Sequence, residues 1–301
     1  MSLNLGFIGT GRMGSPMARR LLAAGHEVHV YDPSAGAVAQ LVEQGAKAAS
    51  SPADVASKVQ IVLLSLPTPE VVLKVASGDN GLTSGSGGLR IVIDLSTSGP
   101  RGAAALAEAL SAHGIEVADS PVSGGVAGAE AGKLSLMTAC ATETFAEIKS
   151  ILECFGRVNH VGERPGQAQL IKVINNLMSV TALAIASEGC VLAQKAGVDP
   201  AKLMEVVNTG SGRSNASEDK IPKYVLTRNF DFGFALGLSA KDARLCLDEA
   251  EALGVPMMVG SAARQLLLAT KGQFGETGDL TEIVRTIETW AGVEVKAGTV
   301  G

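Results

Sequence analysis

Leu3-Asn4-Leu5-Gly6-Phe7-Ile8 runs directly into Gly9-Thr10-Gly11-Arg12-Met13-Gly14, and Ser15-Pro16-Met17-Ala18 follows. A short apolar run, a GxGxxG turn and an Ala-rich amphipathic stretch form a strand–turn–helix unit. Each glycine has its own physical reason. Gly9 permits the tight turn, Gly11 lets the backbone approach a pyrophosphate without a Cβ in the way, and Gly14 lets the helix pack close to the strand. The N–H groups at the helix start, near Arg12 and Met13, then face the phosphates. A second apolar run, Glu27–Tyr31, ends at Asp32. A carboxylate there accepts hydrogen bonds from the adenosine ribose hydroxyls and repels a 2′-phosphate. Residues 33–36 offer no Arg or Lys to rescue that phosphate. NAD is therefore expected, with NADP disfavoured.

Working outward, further strands are predicted at Gln60–Ser65, Arg90–Asp94, Ile115–Asp119, Leu134–Cys140 and Arg157–Val161. Helical stretches are predicted near 14–24, 35–44, 52–57, 69–76, 100–113 and 142–154. Ser77–Gly88, rich in Gly and Ser, reads as a loop. Short apolar strands alternating with helices indicate βαβ units and a buried parallel sheet. After Val161 the pattern changes. One long helix is predicted from about Gly166 to Ala196, and Asp199-Pro200 opens another. Helices follow at 200–208, 217–227, 239–253, 256–272 and 279–291, with no convincing strand. The expected fold is α/β, a Rossmann-type dinucleotide-binding domain over 1–162. An interdomain helix over 163–196 and an all-α domain over 197–301 complete it.

Composition narrows the function classes. The 301 residues include 36 Gly but only seven Phe, two Tyr and one Trp, and 46% are apolar. So few aromatics disfavour base-stacking nucleic-acid modules. A net charge of −5 without a basic stripe argues against DNA or an anionic membrane as partner. The four scattered cysteines show no ligand spacing and read as reduced thiols of a cytoplasmic protein. With a strand expected from Leu3, no signal peptide is expected, and no run of ~20 uninterrupted apolar residues occurs. The four His show no ligand spacing, so no metal site is expected.

Three more segments carry chemistry. Asp119-Ser120-Pro121-Val122-Ser123-Gly124-Gly125-Val126 follows a strand, Gly166-Gln167-Ala168-Gln169-Leu170-Ile171-Lys172-Val173-Ile174-Asn175-Asn176 opens the long helix, and Lys241-Asp242-Ala243 lies in the helical half. Lys172 and Asn176, four apart, share a helix face, with Asn175 close by. The surrounding Leu170, Ile171, Val173, Ile174 and Leu177 would desolvate the ammonium and lower its pKa, suiting it to proton transfer near neutral pH.

In these four ordered motifs the chain resembles the β-hydroxyacid dehydrogenase family over nearly its whole length. The resemblance implies an NAD-linked oxidoreductase. It would move a hydride between the cofactor and a small 3-hydroxy acid or its semialdehyde, of the 3-hydroxyisobutyrate or 2-hydroxy-3-oxopropionate type. It implies Lys172 as general acid/base and Asn176 as the group positioning the reacting oxygen. Ser123, Gly124 and Gly125 would bind the substrate carboxylate, and Lys241 would lie near nicotinamide and substrate. Leu66, Pro67 and Thr97 match positions contacting the cofactor. Ile185, Leu192 and their apolar neighbours point to a homodimer or homotetramer. Arg213 and Asn215 lie where family members shape substrate choice.

One departure stands out: Arg164-Pro165-Gly166 replaces a G-x-G, and Arg164 could meet a second anionic group. Glyoxylate or succinic semialdehyde reductases of the family tend to use NADP, so Asp32 counts against them. Imine reductases often replace the Lys that is kept here. Phosphogluconate dehydrogenases are longer and usually carry His where Asn175 stands. A non-catalytic dinucleotide-binding interaction module is the alternative from another class.

Overall fold

The computed structural model describes residues 2–298 of the chain. It forms two compact units, the first ending at Lys172 and the second starting at Val173.

In the first unit, β1 (Asn4–Ile8), β2 (Glu27–Tyr31), β4 (Ile61–Leu64), β5 (Ile91–Asp94) and β6 (Glu116–Asp119) pair in parallel, with the two-residue β3 (Lys47–Ala48) beyond β2. The helices between them are α1 (Gly14–Ala23), α2 (Ala35–Val42), α3 (Pro52–Ala56), α4 (Pro69–Ser77) and α5 (Gly99–Ser111). The sheet order places β1 between β2 and β4. The winding reverses there, which is where an open α/β sheet binds ligands beyond the strands' carboxyl ends.

Alternation along the strands divides the core. Leu5, Phe7, Leu63 and Ile93 pack with Met17 and Leu21 on one side. Ile8, Val62, Leu64 and Val92 pack with Val55, Leu106 and Leu110 on the other. Helices cover both sides, so the strands are apolar at nearly every position. Ser51, before α3, and Thr68, before α4, each accept a hydrogen bond from an N–H of the following turn, with Pro at the first helical position.

The far edge corrects the expectation of a wholly parallel sheet. β7 (Val122–Ser123) and β6 both pair antiparallel with β8 (Leu134–Ala139), and β9 (Gly156–Gly162) pairs parallel with β8. The cause is a short helix missed in the sequence, α6 (Gly125–Ala131), which returns the chain from β7 to β8 in ten residues. A crossover that restored parallel pairing needs a dozen or more residues. The longer α7 (Thr142–Leu152) permits the parallel return to β9. A single turn of 3₁₀-helix, Leu82–Ser84, lies within the predicted 77–88 loop.

α8 (Gln167–Lys195) runs from the first unit into the second. By length and composition it could cross a membrane, a property that buried core helices share. Its residues Val173, Leu177, Val180, Leu183 and Cys190 line the second unit's core. Around them stand α9 (Pro200–Val207), a π-helix (Ala216–Val225), α10 (Leu236–Ala252), α11 (Met258–Phe274) and α12 (Ile283–Ala291). The four thiols are free. Burial pushes those of Cys140 and Cys190 up to about 12, so both stay protonated and inert.

Candidate active site

The carboxyl ends of the parallel strands carry Gly9–Gly14, Asp32, Leu66-Pro67 and Thr97 among the residues the sequence singled out. Gly9 follows β1 with φ +93°, and a Cβ there would come within 2.2 Å of the Ser65 carbonyl oxygen after β4. At Gly14 a Cβ would fall 1.8 Å from the Gly9 carbonyl oxygen. Both glycines are thus demanded by the protein's own packing. Gly11 differs: a Cβ there would meet nothing within 4 Å, and the residue is exposed. No internal contact explains its missing side chain, and the open backbone leaves room for a pyrophosphate to lie on it. Thr10 adds a buried Oγ1 that makes no hydrogen bond. The cradle therefore fits a dinucleotide.

Asp32 closes the second side of this turn. Its Oδ2 accepts the Thr10 N–H at 2.8 Å and its Oδ1 the Ser34 N–H at 2.8 Å. The carboxylate is thereby held in one orientation, and each oxygen keeps a second lone pair for a ribose hydroxyl. After β4, the Leu66 N–H donates to Ser96 Oγ at 2.9 Å. Thr97 follows β5 and is partly exposed, while Asp94–Ser96 and Ser98–Gly99 on either side are buried. Ser123 lies in β7, partly exposed, and Gly124 and Gly125 are exposed with φ +129° and +66°. That backbone is open to glycine and costly for other residues.

Lys172 is buried at 7% exposure on α8. Its apolar surroundings differ from those expected: Val173 and Leu177 are buried, but Ile171 and Ile174 are each 40% exposed. Their positions turn them away from the face of Lys172. Upstream, Asp119 at the end of β6 caps the helix start. Its Oδ2 accepts the N–H groups of Gly166 at 3.1 Å and Gln169 at 3.0 Å. Burial pushes the Asp119 carboxyl up to about 7, against the lowering effect of those two bonds. Arg164 sits on an exposed turn, and its N–H donates to Gln167 Oε1 at 3.0 Å.

In the second unit, one helical turn beyond Lys172, Asn176 Nδ2 donates to Asp242 Oδ2 at 2.6 Å. Lys241 Nζ lies 3.2 Å from Asp242 Oδ1, an ion pair without hydrogen-bond alignment. Asn175 is exposed and donates to Asn176 Oδ1 at 3.2 Å. Asn215 Oδ1 accepts from Lys220 Nζ at 2.7 Å, and exposed Arg213 pairs at 3.7 Å with Glu218.

Residues 4–162 match the family model described as the NAD binding domain of 6-phosphogluconate dehydrogenase. Residues 166–287 match the one described as NAD-binding of NADP-dependent 3-hydroxyisobutyrate dehydrogenase. A 2-(hydroxymethyl)glutarate dehydrogenase of Eubacterium barkeri is 34% identical over 99% of both chains. The chain belongs to the β-hydroxyacid dehydrogenase family. A 3-hydroxyisobutyrate dehydrogenase of Pseudomonas aeruginosa is 37% identical over 87% of this chain and 90% of its own. The solved structure of the Mycobacterium tuberculosis 3-hydroxyisobutyrate dehydrogenase, described with L-serine, superposes with a TM-score of 0.88 at 28% identity. It covers 95% of this chain and 99% of its own. This β-hydroxyacid dehydrogenase is an oxidoreductase of small hydroxy acids linked to a nicotinamide dinucleotide.

Two buried polar residues of this dehydrogenase were given no role in the sequence reading, although Asp242 lies in its Lys241-Asp242-Ala243 segment. Asp242 shares the inward face of α10 with Ser239, Ala243 and Cys246. A carboxylate at helical spacing on a buried face requires a partner, and that was the available signal. Lys220, 1% exposed, donates to Ser179 Oγ and Asn215 Oδ1, each at 2.7 Å, and sits 5.2 Å from the centre of the Phe232 ring. Burial pushes its ammonium down to about 8.

Proposed function

We propose that the enzyme is an NAD-preferring 3-hydroxyacid dehydrogenase with Lys172 as general acid/base. The buried Lys172 on α8, one turn before an Asn176 anchored by Asp242, is the observation that carries this reading. NAD preference is supported by the Asp32 carboxylate, locked by Thr10 and Ser34. Gly9, Gly11, Arg12, Met13 and Gly14 would hold the pyrophosphate, with Leu66, Pro67 and Thr97 beside the cofactor. Ser123 Oγ and the N–H groups of Gly124 and Gly125 suit a carboxylate.

Bound nicotinamide supplies or accepts the hydride at its ring carbon. In oxidation Lys172 takes the hydroxyl proton, and in reduction it returns it. Asn176, its amide oriented by Asp242, places the reacting oxygen, and Lys241 adds positive charge for the substrate. Because the first relative is named for a dicarboxylic hydroxy acid, a substrate with a second carboxylate is a specific alternative. The exposed Arg164 is its candidate partner.

The remaining readings concern surroundings. Ile174, Met178, Ile185 and Leu192 expose 40%, 68%, 63% and 71% of their surface along α8. Their spacing of four and seven residues makes one stripe, which supports a homo-oligomer closed on this helix. Free thiols support a cytoplasmic enzyme.

The test is a panel: 3-hydroxyisobutyrate and 2-(hydroxymethyl)glutarate in oxidation, and tartronate semialdehyde, succinic semialdehyde and glyoxylate in reduction, each with NAD and NADP. Turnover of a 3-hydroxy acid or its semialdehyde with NAD is expected. Lys172→Ala should lower kcat at least ~10²-fold while NAD still binds. Failure of every substrate with NAD bound would instead favour a non-catalytic dinucleotide-binding module.

A further inference from the structure

Gln169 is fully buried on α8, one turn before Lys172 and on the same face. Its carboxamide is spent on one short segment after β5. Oε1 accepts the N–H groups of Ser98 at 2.9 Å and Gly99 at 3.1 Å, and Nε2 donates to the Ser96 carbonyl at 3.0 Å. Those three bonds bracket Thr97. The segment is braced from beneath by Asp94, which accepts from Ser96 N–H at 2.9 Å and from Ser98 Oγ at 2.8 Å. Ser96 Oγ in turn holds the Leu66 N–H. On the other side of Gln169, Asp119 grips the helix's first turn through the N–H groups of Gly166 and Gln169 itself.

Two strand ends are therefore bonded to one helical turn, β5 through the 96–99 segment and β6 through Asp119, and β4 joins them through the Leu66 N–H on Ser96 Oγ. A buried amide is costly unless its bonds are made, and a Met or Leu would fill the same volume without that demand. Simple packing does not ask for Gln here. A rigid link between a cofactor-facing loop and a proton-transfer group does, because misplacement by about 1 Å costs roughly 10²-fold in rate.

We propose that Gln169 is a positioning residue that sets the place of Lys172 relative to the Thr97 and Leu66 loops, with Asp119 fixing the helix start. The proposal rests on the reading of Lys172 as general acid/base. It assigns Gln169 no contact with substrate or cofactor. Its effect is on the chemical step, leaving ground-state binding nearly unchanged.

The experiment is a double-mutant cycle of Gln169→Met and Lys172→Ala, with NAD affinity by fluorescence titration and melting temperature measured for each variant. Gln169→Met alone should lower kcat by about 10- to 100-fold, move the NAD Kd and substrate KM less than about threefold, and raise the primary deuterium isotope effect on kcat. In the Lys172→Ala background the same substitution should change kcat less than about threefold, because the group it positions is gone. A wild-type kcat in Gln169→Met, or an equal fall in both backgrounds, overturns the positioning role. If Lys172→Ala itself keeps full activity, the acid/base reading fails instead, which separates the two. Should Gln169→Met not fold, Gln169→Glu decides in its place. It keeps both accepted bonds, loses the donated one to Ser96, and should show at least a tenfold loss of kcat at unchanged NAD affinity.

Discussion

Asp32 does two things with one carboxylate, and the two separate on substitution. Each oxygen holds a backbone N–H group, Thr10 in the glycine turn and Ser34 just after β2. On the NAD-preferring reading proposed above, the same negative charge opposes a 2′-phosphate. In Asp32→Ser the charge disappears while a small hydrogen-bonding side chain remains. The ratio of kcat/KM for NADP to that for NAD should rise at least about tenfold, which is about 1.4 kcal/mol of transition-state discrimination. Measuring both cofactors with one substrate checks this, and an unchanged ratio would remove Asp32 from cofactor choice. At this scale much was legible. The turns at Gly9, Gly11 and Gly14 were legible because they are local, whereas the close approach of Gly9 to the Ser65 carbonyl was not. Lys172 was legible as a cation on an apolar helix. Its immediate shell was less so, because strict helical geometry turns Ile171 and Ile174 outward.

Among the elements, the π-helix Ala216–Val225 departs most from expectation, although a helix over 217–227 was predicted. Pro222 lies inside it and can donate no backbone bond. The wider winding shows where Leu226 N–H reaches back five residues to the Ile221 carbonyl. The element also carries buried Lys220, whose partners are a hydroxyl and an amide oxygen.

Lys220 makes stability depend on pH in a definite direction. Burial lowers its folded pKa to about 8, from the 10.5 of an ordinary lysine. Between those values the unfolded chain binds more protons, so this group's contribution raises stability as pH climbs from 8 to 10.5. Below 8 the full cost of burying the ammonium is present. Comparing wild type with Lys220→Met by urea unfolding isolates the effect. Wild-type stability relative to the variant should increase across that window by up to about 3 kcal/mol. A constant difference would show that Lys220 keeps an ordinary pKa.

For the whole molecule, the exposed apolar stripe on α8 is the feature a lone chain does not use. Met178, Ile185 and Leu192 are each more than 60% exposed and seven residues apart. Ile185→Glu combined with Leu192→Glu should shift the elution and light-scattering mass from an oligomer to a monomer at micromolar concentration, with helix content retained. An unchanged mass would place any subunit contact elsewhere.

Determined by the sequence alone were the glycine turn with Asp32, the alternation of strands and helices, and the long helix bearing Lys172 and Asn176. These depend on a residue's neighbours within a few positions. The tertiary structure decided what distance in sequence hides. Asp119 caps a helix start 47 residues away, Gln169 reaches back 71 residues to Ser98, and Asp242 anchors an amide 66 residues upstream. It also decided the antiparallel turn of β8. Buried polar atoms must find partners, but which partner is reached depends on how the strands and helices pack, and no local pattern encodes that.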